Sequence, residues 1–189
     1  MKRNLLILAM VLMTCATSCA QKQADKSIKW VAIEDAYKGT QLKTNQKKVF
    51  VDVYTDWCGW CVRMDQTTFQ DSIIIKMMNK YFHPVKFNAE GAAEVNLGGT
   101  VYTNPNPAQR RSSHQLAVAL LGGKMSYPSF VILDENFKAI TIVPGYSEAR
   151  DFEKILWFFY NEDYKKYTFE KYSEIYDKTI RPEMLKKLK

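Results

Sequence analysis

The sequence predicts an α/β fold in which strands alternate with helices before a β-hairpin and a last helical stretch. Three stretches carry that prediction. Val49 to Asp65 reads VFVDVYTDWCGWCVRMD, an apolar strand that turns at Trp57-Cys58-Gly59-Trp60-Cys61 and continues as a helix. Ser72 to Phe82 places Ile74, Met77, Met78 and Tyr81 on one helical face behind Asp71, a good N-cap. Ser126 to Asp134 and Phe137 to Val143 are strand-like runs joined by the turn Asp134-Glu135-Asn136.

The chain begins with a different kind of segment. Lys2 and Arg3 precede nine apolar residues, Leu5 to Met13, too short a run to span a bilayer. Small and polar residues follow, so residues 1–18 read as a secretory signal peptide. Ala16-Thr17-Ser18-Cys19 resembles a bacterial lipoprotein cleavage box, which makes Cys19 the first mature residue and its thiol the lipidated one. Cleavage at Cys15 and ordinary secretion with a cut after Ala20 are the competing readings. Cysteine arithmetic favours lipidation. Of four cysteines, Cys15 leaves with the leader and Cys58 and Cys61 pair, so Cys19 needs a fate in an oxidising compartment.

The chain carries 27 basic and 20 acidic residues, a net charge of +7. Loss of Lys2 and Arg3 leaves 25 against 20, or +5. The basic residues are dispersed except for Lys186, Lys187 and Lys189. No basic face with interleaved aromatics emerges, so nucleic acid is not an expected partner.

In chain order, residues 19–27 form a polar tether. Ile28 to Ala32 is a short first strand, and Ile33 to Gln46 is helical, with Gly39 weakening the pattern. Val49 to Thr55 is apolar throughout except for Asp52, as in a central parallel strand. A helix from Gly59 to Thr67 follows. Pro84 to Ala89 is the next strand. Gly91 to Ser113 contains three glycines, two prolines and several Asn, and reads as a long loop or insertion. His114 to Leu121 is helical and Gly122-Gly123 ends it. Glu148 to Tyr160 is an apolar helix. Tyr164 to Ile180 adds another, with Pro182 helping to end it.

Two cysteines two residues apart at a strand–helix junction are a redox arrangement. Unpaired N–H groups and the helix dipole favour a thiolate at Cys58. Cys61, inside the first turn, is expected to be the more buried. Cys58 is therefore the attacking sulfur and Cys61 the resolving one. A purely structural bridge is disfavoured because so small a loop constrains little chain. A zinc site would need two further ligands, and only His83 and His114 exist beside the pair, so no metal is expected. Asp52 is an acid in an apolar strand. Burial raises the pKa of such a group, which suits a proton acceptor for Cys61. An edge-exposed aspartate without a role is the alternative. Trp57, Trp60 and Tyr146 offer an apolar rim for extended protein substrates, or ordinary packing. His83 and His114 receive no role.

These motifs resemble the thioredoxin family over about Ile28 to Asn161. WCGWC follows a strand as the family's WCGPC does, with Gly59 at the shared glycine and Trp60 in place of proline. Asp52, six residues before Cys58, matches the family's buried acid, and Lys86 falls on the strand that carries its lysine. Tyr127-Pro128 matches the cis-proline, and Gly145 matches the glycine that closes the substrate groove. The resemblance implies a thioredoxin-like three-layer sandwich, a central mixed sheet flanked by helices. The insertion would precede the cis-proline strand, and an extra helix would occupy residues 162–189. It also implies that the Tyr127 backbone pairs with substrate beside the sulfurs and that Pro128 keeps metals from them. Lys86 either holds Asp52 ionised or points to solvent.

The function expected is a thiol–disulfide oxidoreductase of the cell envelope, lipid-anchored at Cys19, acting on protein disulfides or thiols without a cofactor. A reductase would draw electrons from a membrane donor. Oxidase and isomerase directions stay open. A binding module with a passive disulfide is the alternative from another class, and an exposed Cys58 is expected to separate them. A peroxide-reducing enzyme is a weaker third reading.

Overall fold

A computed structural model describes residues 25–42 and 46–188. The predicted leader, Cys15 and Cys19 lie outside these residues, as does most of the tether. No helix among the described residues is long and apolar enough to cross a membrane.

The first predicted strand is reduced to one parallel bridge, Val31 to Val85, with the Val31 amide donating to the Pro84 carbonyl at 2.8 Å. The pairing stops there because helix α1, Ile33–Gln41, begins two residues later. That helix ends five residues short of the predicted Gln46, at the extended backbone of Leu42. Gly39 does not break it. A Cβ on Gly39 would meet the His83 ring at 2.9 Å, so the glycine permits the helix to lie close to the sheet.

Strand β1, Lys48–Tyr54, is the centre of the molecule. It pairs in parallel with β2, Phe82–Asn88. The four-stranded sheet runs in the order β2-β1-β5-β6, where β5 is Ser129–Leu133 and β6 is Ala139–Pro144, both antiparallel to their neighbours. The sheet is therefore mixed, as expected. Alternation along β1 sends Val49, Val51 and Val53 to one core and Phe50 to the other. Asp52 shares the Phe50 side by that period.

The Phe50 side is covered by α2 (Gly59–Gln66), α3 (Ser72–Tyr81) and α5 (Ala149–Tyr160). Asp71 caps α3 as predicted, its Oδ1 accepting from the amides of Ile73 and Ile74 at 2.8 and 3.2 Å. The opposite face is covered by α1 and by α4, Gln115–Leu120. These layers make the predicted sandwich.

Residues 91–113 are not a featureless loop. They contain the hairpin β3 (Val95–Leu97) and β4 (Thr100–Tyr102), turning at Gly98-Gly99. Buried Asn104 organises the remainder. Its Nδ2 donates to the carbonyls of Glu90 and Ser112, and its Oδ1 accepts from the Ser112 hydroxyl. His114, to which the sequence assigned nothing, is a structural pin. Its Nδ1 caps α4 by accepting from the Leu116 amide, so Nε2 carries the proton and donates to the Ala93 carbonyl at 3.0 Å.

The C-terminal segment is helical beyond its predicted end. Helix α6, Phe169–Ile175, passes through one π-turn at Tyr176–Ile180 into α7, Arg181–Leu188. Pro182 does not terminate this segment. It is the second residue of α7, directly after the π-turn that carries the helix past it. Tyr172, Tyr176, Met184 and Leu188 enter the Phe50-side core. Buried Glu153 receives the Tyr176 hydroxyl at 2.7 Å, Arg181 Nε at 2.6 Å and Arg150 Nη1 at 3.1 Å.

Candidate active site

The end of β1 delivers the cysteines. The Cys58 amide donates to the Thr55 carbonyl at 3.1 Å, which closes the turn at Asp56-Trp57. Cys58 then keeps an extended backbone and serves as the N-cap of α2. Its sulfur accepts from the Cys61 amide at 3.1 Å, and no acidic residue occupies the first turn. A negative charge that appears on this sulfur therefore meets an oriented N–H and the positive end of the helix.

Cys58 and Cys61 form a disulfide with their Cα atoms 5.3 Å apart. The expected difference in exposure is absent. Cys58 is 4% exposed and Cys61 3%. Bonded to each other in the disulfide, the two cysteines are buried alike.

That rim has two halves. Trp57 packs edge-on against Tyr127 at 5.8 Å, and Trp60 leans on Tyr146 at 5.2 Å. Trp57 is 48% exposed and Trp60 58%. The Tyr127-Pro128 peptide is cis, as the resemblance implied. Gly145, at φ 95°, donates its amide to the Pro128 carbonyl at 2.8 Å, joining the two predicted substrate-contacting segments. The Thr68 hydroxyl donates to the Ser147 carbonyl at 2.7 Å, so the neighbouring Tyr146 is tied to the end of α2.

The insertion reaches this rim, which sequence reasoning did not find. The Trp57 indole N–H donates to Glu90 Oε1 at 2.9 Å, and the Arg111 guanidinium lies over the Trp57 ring at 5.3 Å. Burial raises the Tyr127 hydroxyl's pKa, as does the charge of Glu90, while the Ser113 side chain opposes the shift.

Asp52 is 2% exposed, and its Oδ1 has no hydrogen-bond partner among the described residues. Burial pushes its carboxyl up to about 7. Lys86 opposes that shift and Asp65 adds to it. Lys86 stands across the parallel ladder from Asp52, yet its Nζ is 3.9 Å from Asp52 Oδ2 and donates its hydrogen bond to Asp65 Oδ1. Lys86 thus favours the charged form of Asp52, as one sequence expectation had it, but it also serves a second acid. Asp65 was not foreseen. The signal available was its place four residues after Cys61, on the same side of α2.

The chain matches the family model described as a thioredoxin-like domain over residues 38–160. No curated protein matches it. Among solved structures, a thioredoxin-fold protein from Helicobacter pylori superposes with a TM-score of 0.52 at 16% identity, over 75% of this chain and 91% of that one. A DsbH oxidoreductase gives 0.51 at 16% identity, over 71% and 85%. A Thermus thermophilus thioredoxin gives 0.50 at 16%, over 69% and 85%. At these identities the likeness is one of fold.

Proposed function

This chain belongs to the thioredoxin-like family, and from that premise we propose a thiol–disulfide oxidoreductase acting on protein cysteines in the cell envelope, working as a disulfide reductase. The observation that carries the reading is the Cys58–Cys61 disulfide at the N-terminus of α2.

In the reduced protein, the Cys58 thiolate attacks one sulfur of a substrate disulfide. The other substrate sulfur leaves as a thiolate and takes a proton. The Cys61 thiol passes its proton to Asp52 and attacks Cys58 Sγ in the mixed disulfide. The second substrate sulfur departs, again as a thiol after protonation. Two substrate thiols and one Cys58–Cys61 disulfide result, so two electrons have moved to the substrate. A membrane electron donor returns them. Trp57, Trp60, Tyr127 and Tyr146 seat the substrate segment, and the Tyr127 backbone pairs with it beside Pro128 and Gly145. Gly59 leaves open the space above the first turn: a Cβ there would meet nothing within 4 Å.

The leader reading completes the proposal. Residues 1–18 direct export, Cys19 carries lipid, residues 19–27 are the tether, 28–161 the redox domain and 162–189 its helical extension. Cys19→Ala should release the protein from membranes, and mass spectrometry should show no acyl chain.

Equilibration against glutathione buffers tests the redox role. A potential near about −270 mV supports a reductase, and one near about −120 mV an oxidase or isomerase. The 4% exposure of Cys58 favours a second reading, a binding module with a passive disulfide. A pair that does not exchange with the buffers would establish that reading instead.

A further inference from the structure

We propose that Asp65 is a positioning residue: it captures the Lys86 ammonium and holds it off the Asp52 carboxyl. The inference rests on the reading in which Asp52 takes the proton of Cys61. The parallel ladder sets Asp52 and Lys86 side by side on the face that α2 covers. Left alone, such a pair closes to a direct ion pair. Here α2 intervenes. Asp65, partly exposed at the helix surface, accepts the Lys86 hydrogen bond, while buried Asp52 keeps only a 3.9 Å contact. The lysine stem stays beside aromatic faces, with Nζ 5.1 Å from the Tyr54 ring centre and 5.7 Å from that of Trp30.

A movement of about 1 Å would bring Nζ within hydrogen-bond reach of Asp52. The arrangement is thus a cation shared unequally between an outer and an inner acid. The outer acid wins because it is partly hydrated and sits in direct hydrogen-bond contact. The groups facing Asp52 are Lys86 from β2, Asp65 from α2 and Tyr54 from its own strand. From β5 the paired residue is apolar Phe130. Removing the Asp65 charge acts twice in one direction. It deletes a like charge and frees Lys86 to approach, and both favour the Asp52 carboxylate. Asp52 becomes easier to ionise and a weaker base for Cys61.

The test is a carboxyl-carbon NMR titration of Asp52 in the oxidised protein, where neither cysteine titrates and no activity is needed. Asp65→Asn should move the Asp52 midpoint down by about one pH unit, and Lys86→Gln should move it up. In the Lys86→Gln background, Asp65→Asn should produce less than half of its original shift, because only the direct repulsion remains. Asp65→Ser repeats the measurement should the asparagine variant not fold. An unchanged midpoint, or an equal shift with and without Lys86, overturns the inference. The pH profile of disulfide reduction is then compared. A profile that follows the NMR midpoint supports both statements. A profile that stays fixed while the midpoint moves removes Asp52 from the proton transfer, which is a failure of the functional reading and not of the Asp65–Lys86 coupling.

Discussion

Two segments without a clear place in the sequence pattern, residues 91–113 and the C-terminal helices, are held in different proportions by polar contacts and by burial. The first buries Val95 of its hairpin and is otherwise fastened by polar groups, Asn104 and His114, with Arg111 over the Trp57 ring at the aromatic rim. The second is fastened by burial. Tyr172 and Tyr176 are fully covered, and Glu153 collects a hydroxyl and two guanidinium groups. The contrast assigns them different work. Polar fastening at a rim leaves side chains available to a substrate, whereas aromatic fastening in a core serves stability.

The redox site between them supplies the largest expected effect and the reference for both. Burial pushes the Asp52 carboxyl up to about 7 in the folded protein, from an ordinary value of 3.8. The folded state therefore binds the extra proton between those values, and stability falls as pH rises through that window. Asp52→Asn should flatten this slope and stabilise the protein by about 4 kcal/mol above pH 7, read by urea unfolding at a series of pH values. A wild-type slope of the opposite sign would contradict a carboxyl whose burial outweighs its distant Lys86 partner.

The tail comes next. Glu153→Ala leaves Arg181 and Tyr176 without their acceptor and should cost about 3 kcal/mol. Hydrogen exchange should quicken first in α6 and α7, while the Cys58–Cys61 potential stays unchanged. A shifted potential would erase the distinction between the two segments. His114→Ala should cost about 1 kcal/mol through the lost α4 cap. Its exchange signature should fall on residues 91–113 and spare the tail.

The smallest effect sharpens the comparison most. Arg111→Ala should leave unfolding within about 0.5 kcal/mol of wild type and raise KM for a protein disulfide about threefold, the size of one exposed cation–π contact. Arg150→Ala, on the tail side, should show the reverse pattern, with a lower Tm and an unchanged KM. Equal behaviour of the two arginine variants would mean that the insertion is scaffold as well.

What could be read from the sequence followed from local spacing. The buried run of β1, the Asp71 cap and the Gly122-Gly123 stop each depend on a few adjacent residues. The redox junction followed from two cysteines spaced two residues apart where a strand meets a helix, whereas the cis-proline at Tyr127-Pro128 came from the family resemblance. The strands β3 and β4 were missed because three residues are too few to show a two-residue period. Pro182 was misread because proline usually ends a helix, whereas here the π-turn at Tyr176–Ile180 carries the helix past it.

The sequence by itself determined alternating strands and helices, a cysteine pair at a helix start and an acid within an apolar strand, since periodicity and capping are properties of neighbours along the chain; the sandwich followed only from the family resemblance. Tertiary structure alone decided that Arg111 reaches Trp57, that Glu153 anchors the tail and that Lys86 bonds Asp65 rather than Asp52. Those are meetings of charged or polar groups from different elements, and their outcome depends on distance and solvent access, which residue spacing does not encode.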